Sequence, residues 1–428
     1  MDEQKPLENK QGEPGEKTEK SEYSFMQETI KDENSRGKKC RKDLLRMAGL
    51  GVVFGVCACI SFSALKPWLD KKFPGDSQEV VIPKEKEEDN TEEKKADTSN
   101  NTEQTLDIDN YRELQKAMND VATEAGKSVV EIIGVSGEQD WTDESYDNKN
   151  SVSGLIIADN GQELLVYGKT SILKDAKEIH IRFSDGNTEQ ASVKKKDESL
   201  GFAIYAVSGS SIEQSTWTQI STAKLGSSNS VQKGDAVAVL GKPFGYAGAV
   251  GFGTIANSRN ELDADDGSYQ LLCTDIGAAE DGTGVIVNLS GEVVGIIDQS
   301  ISDNSSKRLV TGYGISGLKS EIELLSNGQA VPYVGIRGLD VTAEIEAQGI
   351  PNGVYVQTVE PDSPAMAAGI QSGDIIWQVS GESVSSMSSY EKAVLEEKSD
   401  AVIRVKGKRK GADGYVDLDF TVNVGDKK

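Results

Sequence analysis

Histidine is almost missing from this chain of 428 residues: there is one, His180, beside four cysteines. No CxxC pair or histidine cluster occurs, so zinc has no ligand set and no metal is expected. Cys57 and Cys59 lie in an apolar run, Cys40 precedes it and Cys273 stands alone, so no disulfide framework staples the soluble part. Basic charge is in deficit: 46 Lys and Arg face 70 Asp and Glu, for a formal charge of −24. That field repels phosphate, which excludes nucleic acid as an expected partner. No cofactor is expected either. Gly248, Gly251 and Gly253 have no βαβ context and read as barrel turns and bends, not a dinucleotide fingerprint. Asp263, Asp265 and Asp266 before Gly267 miss the spacing of a calcium loop and read as a solvated turn.

Charge is wholly absent from Met47 to Leu65. That run is near the ~20 residues needed to cross a bilayer core. Lys38, Lys39, Arg41, Lys42 and Arg46 crowd its N-terminal side. The pattern predicts a transmembrane helix over 47–65, with residues 1–46 a disordered cytoplasmic tail and the remainder extracytoplasmic, so the chain is placed in the cell membrane as a single-pass protein. A cleaved signal peptide is the rival reading, for which the leader is unusually long. Residues 66–110 are acidic and polar and are expected to form a disordered linker.

Order is expected from Tyr111. Leu114, Met118, Val121, Ala122 and Ala125 recur at helical spacing, and Gly126 ends the helix. Many short β-branched runs follow, from Ser128–Val135 to Val293–Asp298, separated by Gly, Asn, Asp and Ser. They argue a β-barrel or sandwich domain over 111–328. Helical signal returns at Leu318–Leu325. A second, α+β module spans 331–424. In it Ser363-Pro364 reads as a helix start, Gly369 as a helix end, Ile375–Val379 as a strand, and Ser388–Glu397 as a helix.

Thr222–Ile255, Lys177–Gly186, Ile286–Ile296 and Thr311–Lys319 together resemble the HtrA/Deg family of trypsin-like serine proteases. Tyr333–Ile336 with Pro361–Val384 is similar to that family's PDZ domain. The resemblance implies a mainly β fold: a trypsin-like double β-barrel, then a PDZ domain, behind one N-terminal transmembrane helix. It also implies a Ser-His-Asp triad. Ser171 falls where the family has its base, Gly201 where it has Asp, and Gly282 where it has the nucleophile. Two glycines have no side chain, and a serine hydroxyl is no base near neutral pH. Glu280 and Asp281 would oppose a developing oxyanion beside Gly282. Thr283 is the one outside candidate for a nucleophile, with Lys169 or Lys174 as its base. His180 alternates with Ile179 and Ile181 and reads as a surface residue of a strand.

Tyr333, Val334, Gly335 and Ile336 resemble the PDZ loop that captures a peptide carboxylate with backbone N–H groups. Tyr390 and Val394 would lie on the helix beside that groove. The expectation is a membrane-anchored HtrA-like pseudoprotease binding protein C-termini or unfolded segments outside the membrane, in envelope protein quality control or regulation. Two alternatives stay open: an active serine endopeptidase degrading misfolded proteins, and a structural homotrimeric scaffold.

Overall fold

The computed structural model describes residues 78–84, 108–136, 150–301 and 308–427. The expected tail, the apolar run at 47–65 and most of the linker lie outside these residues. Among the described residues no helix is long and apolar enough to cross a membrane.

After helix α1 (Ile108–Gly126) the chain builds two closed six-stranded barrels. The first contains β1 (Val129–Val135), β2 (Ser151–Asp159), β3 (Glu163–Lys169), β4 (Glu178–Arg182), β5 (Thr188–Asp197) and β6 (Phe202–Ser208). The second contains β7 (Ala236–Lys242), β8 (Ala249–Ala264), β9 (Gly267–Gly277), β10 (Thr283–Asn288), β11 (Val293–Asp298) and β12 (Leu309–Gly314). Helix α2 (Ile315–Ser326) follows.

Period-two alternation sorts the apolar residues into separate layers. Along β3, Leu164 and Val166 fill the first barrel, whereas Leu165 and Tyr167 face the second. Val237 and Val239 fill the second barrel, and Ala238 and Leu240 face the first. The layer between the barrels also takes in Leu318, Ile322 and Leu325 of α2. An aromatic chain crosses it: Tyr167 stacks on Phe202 at 4.9 Å, Phe202 meets Tyr313 edge-on at 5.7 Å, and Tyr313 meets Tyr269 at 5.9 Å. Each fully buried side chain of this size stabilises the fold by ~1.5–3 kcal/mol.

The third unit has a core of its own, around Val334, Ile336, Val356, Ile376, Tyr390, Val394 and Val422. Its elements are β13 (Pro332–Tyr333), β14 (Ile336–Asp340), β15 (Val354–Val359), helix α3 (Pro364–Ala368), β16 (Ile375–Val379), β17 (Glu382–Ser383), helix α4 (Met387–Leu395), β18 (Val402–Gly411), β19 (Gly414–Asn423) and β20 (Gly425–Asp426). The expected caps of α3 are present: Ser363 accepts from the Met366 N–H, and Gly369 is left-handed at φ 87.

Three expectations need correction. Within the linker, residues 78–84 are packed: the Val80 N–H donates to Asn327 Oδ1 at 2.9 Å, and Ile82 is buried. The short apolar run Val80-Val81-Ile82 was outweighed by the polarity around it. Helix α1 begins at Ile108, and its first half buries nothing, so Ile108, Tyr111 and Leu114 are exposed. Strand β12 is an element the sequence does not signal, because its glycines weaken the strand pattern.

A buried charged cluster joins the units. Asp197 from β5, Glu321 from α2 and Lys427 near the C-terminus are all buried. Lys427 lies 3.7 Å from Asp197 Oδ2 and 3.4 Å from the Tyr269 hydroxyl. Tyr167 donates to Glu321 Oε1 at 3.4 Å. Burial, reinforced by Asp197, pushes Glu321 from 4.5 up to about 8. The folded chain therefore binds a proton over the window in which the unfolded chain has lost it. This contribution is complete below 4.5 and is lost as pH rises through about 8. The apparent Tm of the full chain is expected to fall by on the order of 5 °C between mildly acidic and alkaline buffer, and Glu321→Gln to flatten that slope, in scanning calorimetry.

Candidate functional site

A cleft of about 570 Å³ opens where the barrels meet, lined by Ser151, Lys169, Ser171, Gly282, Thr283 and Asp298 among others. Ser171 and Gly282 thus share one cleft. Gly201 stands beside it, its carbonyl accepting the Thr170 N–H at 2.9 Å. The outside candidates Thr283 and Lys169 line this same cleft. His180 lies on β4 with Nε2 3.4 Å from Glu178 Oε2, and neither it nor Lys174 lines the cleft. Thr283 Oγ1 accepts the Ser153 N–H at 2.9 Å.

Backbone geometry reinforces the missing side chains. Gly201 is left-handed at φ 77, a region that L residues rarely adopt. At Gly282 an added Cβ would meet the Pro243 carbonyl oxygen at 2.7 Å and that of Ala279 at 3.1 Å. The Gly282 N–H donates to Ala279 O at 3.1 Å, so it is already engaged within its own loop.

Charge fills part of the space instead. Lys169 Nζ lies 2.5 Å from Asp298 Oδ1, with side chains 15% and 2% exposed. Ser300 Oγ also donates to Asp298, at 2.6 Å. Behind the cleft, buried Lys242 donates to Ser151 O at 3.0 Å, and Ser151 Oγ to Glu131 Oε1 at 2.5 Å. Burial pulls the Lys242 ammonium below its ordinary value, while Asp281 and Glu131 draw it back.

The PDZ-like loop is where the structure departs most from expectation. Val334 N–H and Gly335 N–H each donate to Asp266 Oδ2 at 2.7 Å, and Ile336 N–H donates to Asp266 Oδ1 at 3.1 Å. The Tyr390 hydroxyl donates to Oδ1 at 2.9 Å. Gly335 permits this approach: φ is 90, and a Cβ would lie 2.4 Å from that of Ser363. Tyr333 packs under the same glycine, with its hydroxyl 2.7 Å from that added Cβ. Val394 belongs to the core of the unit rather than to the groove surface. Asp266 is 5% exposed, so the expected solvated turn is a buried one. Its partners are 68 to 124 residues downstream, beyond the reach of any local signal. The Lys169–Asp298 pair, 129 residues apart, went unread for the same reason.

Two closed six-stranded barrels with a cleft between them, followed by a sheet and helix forming a carboxylate cradle, define a trypsin-like peptidase fold joined to a PDZ domain. Residues 152–296 match the trypsin-like peptidase domain and residues 332–420 the PDZ domain. The chain belongs to the HtrA/Deg family. It is 25% identical over 285 residues to the serine protease Do-like HtrA of Lactobacillus helveticus, covering 61% of this chain and 66% of that protein. With the serine protease Do-like HtrB of Bacillus subtilis it shares 25% over 284 residues, covering 60% of each. The chain thus spans 60–66% of the length of these two relatives. A solved structure of the HtrA-type protease AlgW with a tripeptide superposes with a TM-score of 0.52 at 19% identity, over 72% of this chain and 96% of that one.

Removing the Lys169 ammonium leaves the buried Asp298 carboxylate without its counter-charge, with only Ser300 as donor among the described residues. Lys169→Met is expected to lower the unfolding free energy by about 3 kcal/mol, read from urea titration of the full chain.

Proposed function

We propose that this HtrA/Deg member is a pseudoprotease: a membrane-anchored protein that holds chain termini or unfolded segments outside the membrane without cutting them. The observation that carries the reading is the loop at Gly282. Its N–H is spent on Ala279 O, and the space of a side chain there is taken by the Pro243 carbonyl. No histidine lines the cleft. Peptide binding is supported by the PDZ domain and by relatives of the same fold solved with a tripeptide or a decapeptide. The anchor reading is supported by the uncharged run 47–65 and its basic flank, and with it an extracytoplasmic position for the domains. Self-association into a trimer is supported by the exposed Ile108, Tyr111 and Leu114 on α1.

The relatives named above are serine proteases, so an active endopeptidase is the competing reading. The full chain is to be incubated with a fluorophosphonate probe and unfolded casein. Neither labelling nor cleavage is expected, and Gly282→Ser is expected to add none and to lower the Tm, since its side chain has no room. Labelling of wild type that vanishes in Thr283→Ala would overturn the reading. For the anchor, the full chain is expected to stay in the pellet after alkaline carbonate washing of membranes. A chain lacking residues 1–66 is expected in the supernatant.

A further inference from the structure

The cradle of the PDZ domain already holds a carboxylate. Three consecutive N–H groups and one hydroxyl converge on Asp266, at the tip of the β8–β9 hairpin of the second barrel. The Asp266 N–H also donates to Ile336 O at 2.8 Å, as the first rung of a strand added to β14. A bound peptide terminus needs this same pair of features, a captured carboxylate and an N–H on the strand edge. Asp266 supplies both, its carboxylate standing one methylene farther from the backbone than a terminal one. The hairpin tip is gripped at a further point, where Arg337 Nε donates to Asp265 Oδ1 at 2.6 Å.

We propose that Asp266 is a resident ligand of the PDZ cradle, and that the β8–β9 hairpin keeps the groove shut until a protein terminus with a free carboxylate displaces it. The proposal rests on the reading of the PDZ domain as a receptor for chain termini.

Three observations make the resident ligand displaceable. Its backbone is strained, since Asp266 is not glycine yet sits at φ 60. It makes only one main-chain bond to β14 among the described residues, whereas a longer peptide can continue along that strand. The PDZ domain keeps a core cluster of its own, with Leu395 packed against the inter-barrel layer, so the groove can leave the hairpin without unfolding either side. A receptor whose open form is a minor population binds more weakly in proportion, and removing the internal ligand removes that handicap.

The test uses the detergent-solubilised full chain as wild type, Asp266→Ala and Asp266→Asn. The probe is a dye-labelled pool of ten-residue peptides with the last four positions randomised, as free acid and as amide. Hydrogen exchange at Val334, Gly335 and Ile336 is followed alongside anisotropy. In Asp266→Ala these amides are expected to exchange faster, the free-acid pool to bind on the order of tenfold tighter than to wild type, and the amide pool to gain nothing. Free-acid peptide is then expected to slow their exchange again. Asp266→Asn, which preserves shape, is expected to lie between the two and serves if the alanine variant unfolds. Unchanged exchange in both variants would mean that Asp266 is not the occupant. Faster exchange with wild-type affinity already equal to that of the variants overturns the competition but leaves the receptor reading intact. Faster exchange with neither pool bound by any variant overturns the receptor reading and the proposal with it.

Discussion

A carboxylate taken out of water must be given donors, and the placement of Asp266 organises the relation between the barrels and the PDZ domain. Its four donors come from one loop and one helix of the PDZ domain, so the hairpin of the second barrel and the peptide groove are joined through a single side chain. Burial holds this carboxyl above its ordinary value, against the three N–H groups that act to lower it. A site that receives four donors is matched to the ionised form, which has acceptors only. Around it the junction is polar rather than oily. Lys427 is the ammonium shared by Asp197, Glu321 and Glu391, and Glu391 is itself pushed up to about 7 by burial. Asp197 Oδ2 and Glu321 Oε2 have no hydrogen-bond partner among the described residues. Such a junction holds position through charge geometry, and a change in protonation alters it more readily than it alters a hydrophobic core.

The cleft follows a different logic. Gly282 lines it and Gly201 stands beside it, and at both the backbone suits a residue without a side chain. Gly201 is left-handed, and Gly282 is closed in by carbonyl oxygens. The Gly282 N–H is engaged by Ala279 O within its own loop, and the Lys169–Asp298 pair lines the cleft. Recognition and hydrolysis need different things from this fold. A groove needs an edge strand and donors, whereas hydrolysis also needs a base, a nucleophile and unpaired N–H groups in register.

Much of the architecture was legible in the residues. Alternation along Glu178–Phe183 and Ala236–Leu240 marked strands, and Ser363-Pro364 with Gly369 marked both ends of a helix, because these signals act within a few residues. The exact run Ile375–Val379 was found as β16. The strand β12 escaped because Gly312 and Gly314 interrupt its alternation, and Val80-Val81-Ile82 because three apolar residues are too short a signal amid acidic sequence.

The sequence by itself determined part of the inventory of groups: one histidine, a strong excess of acidic over basic residues, and a Tyr-Val-Gly-Ile loop able to present N–H groups. Those are matters of inventory and short-range pattern. Tertiary structure alone decided what fills the loop, which lysine meets Asp298, and which carboxylates share Lys427. Each of those outcomes depends on donors brought from tens to hundreds of residues away, and a buried charge takes its partner from the fold and not from its neighbours in the chain.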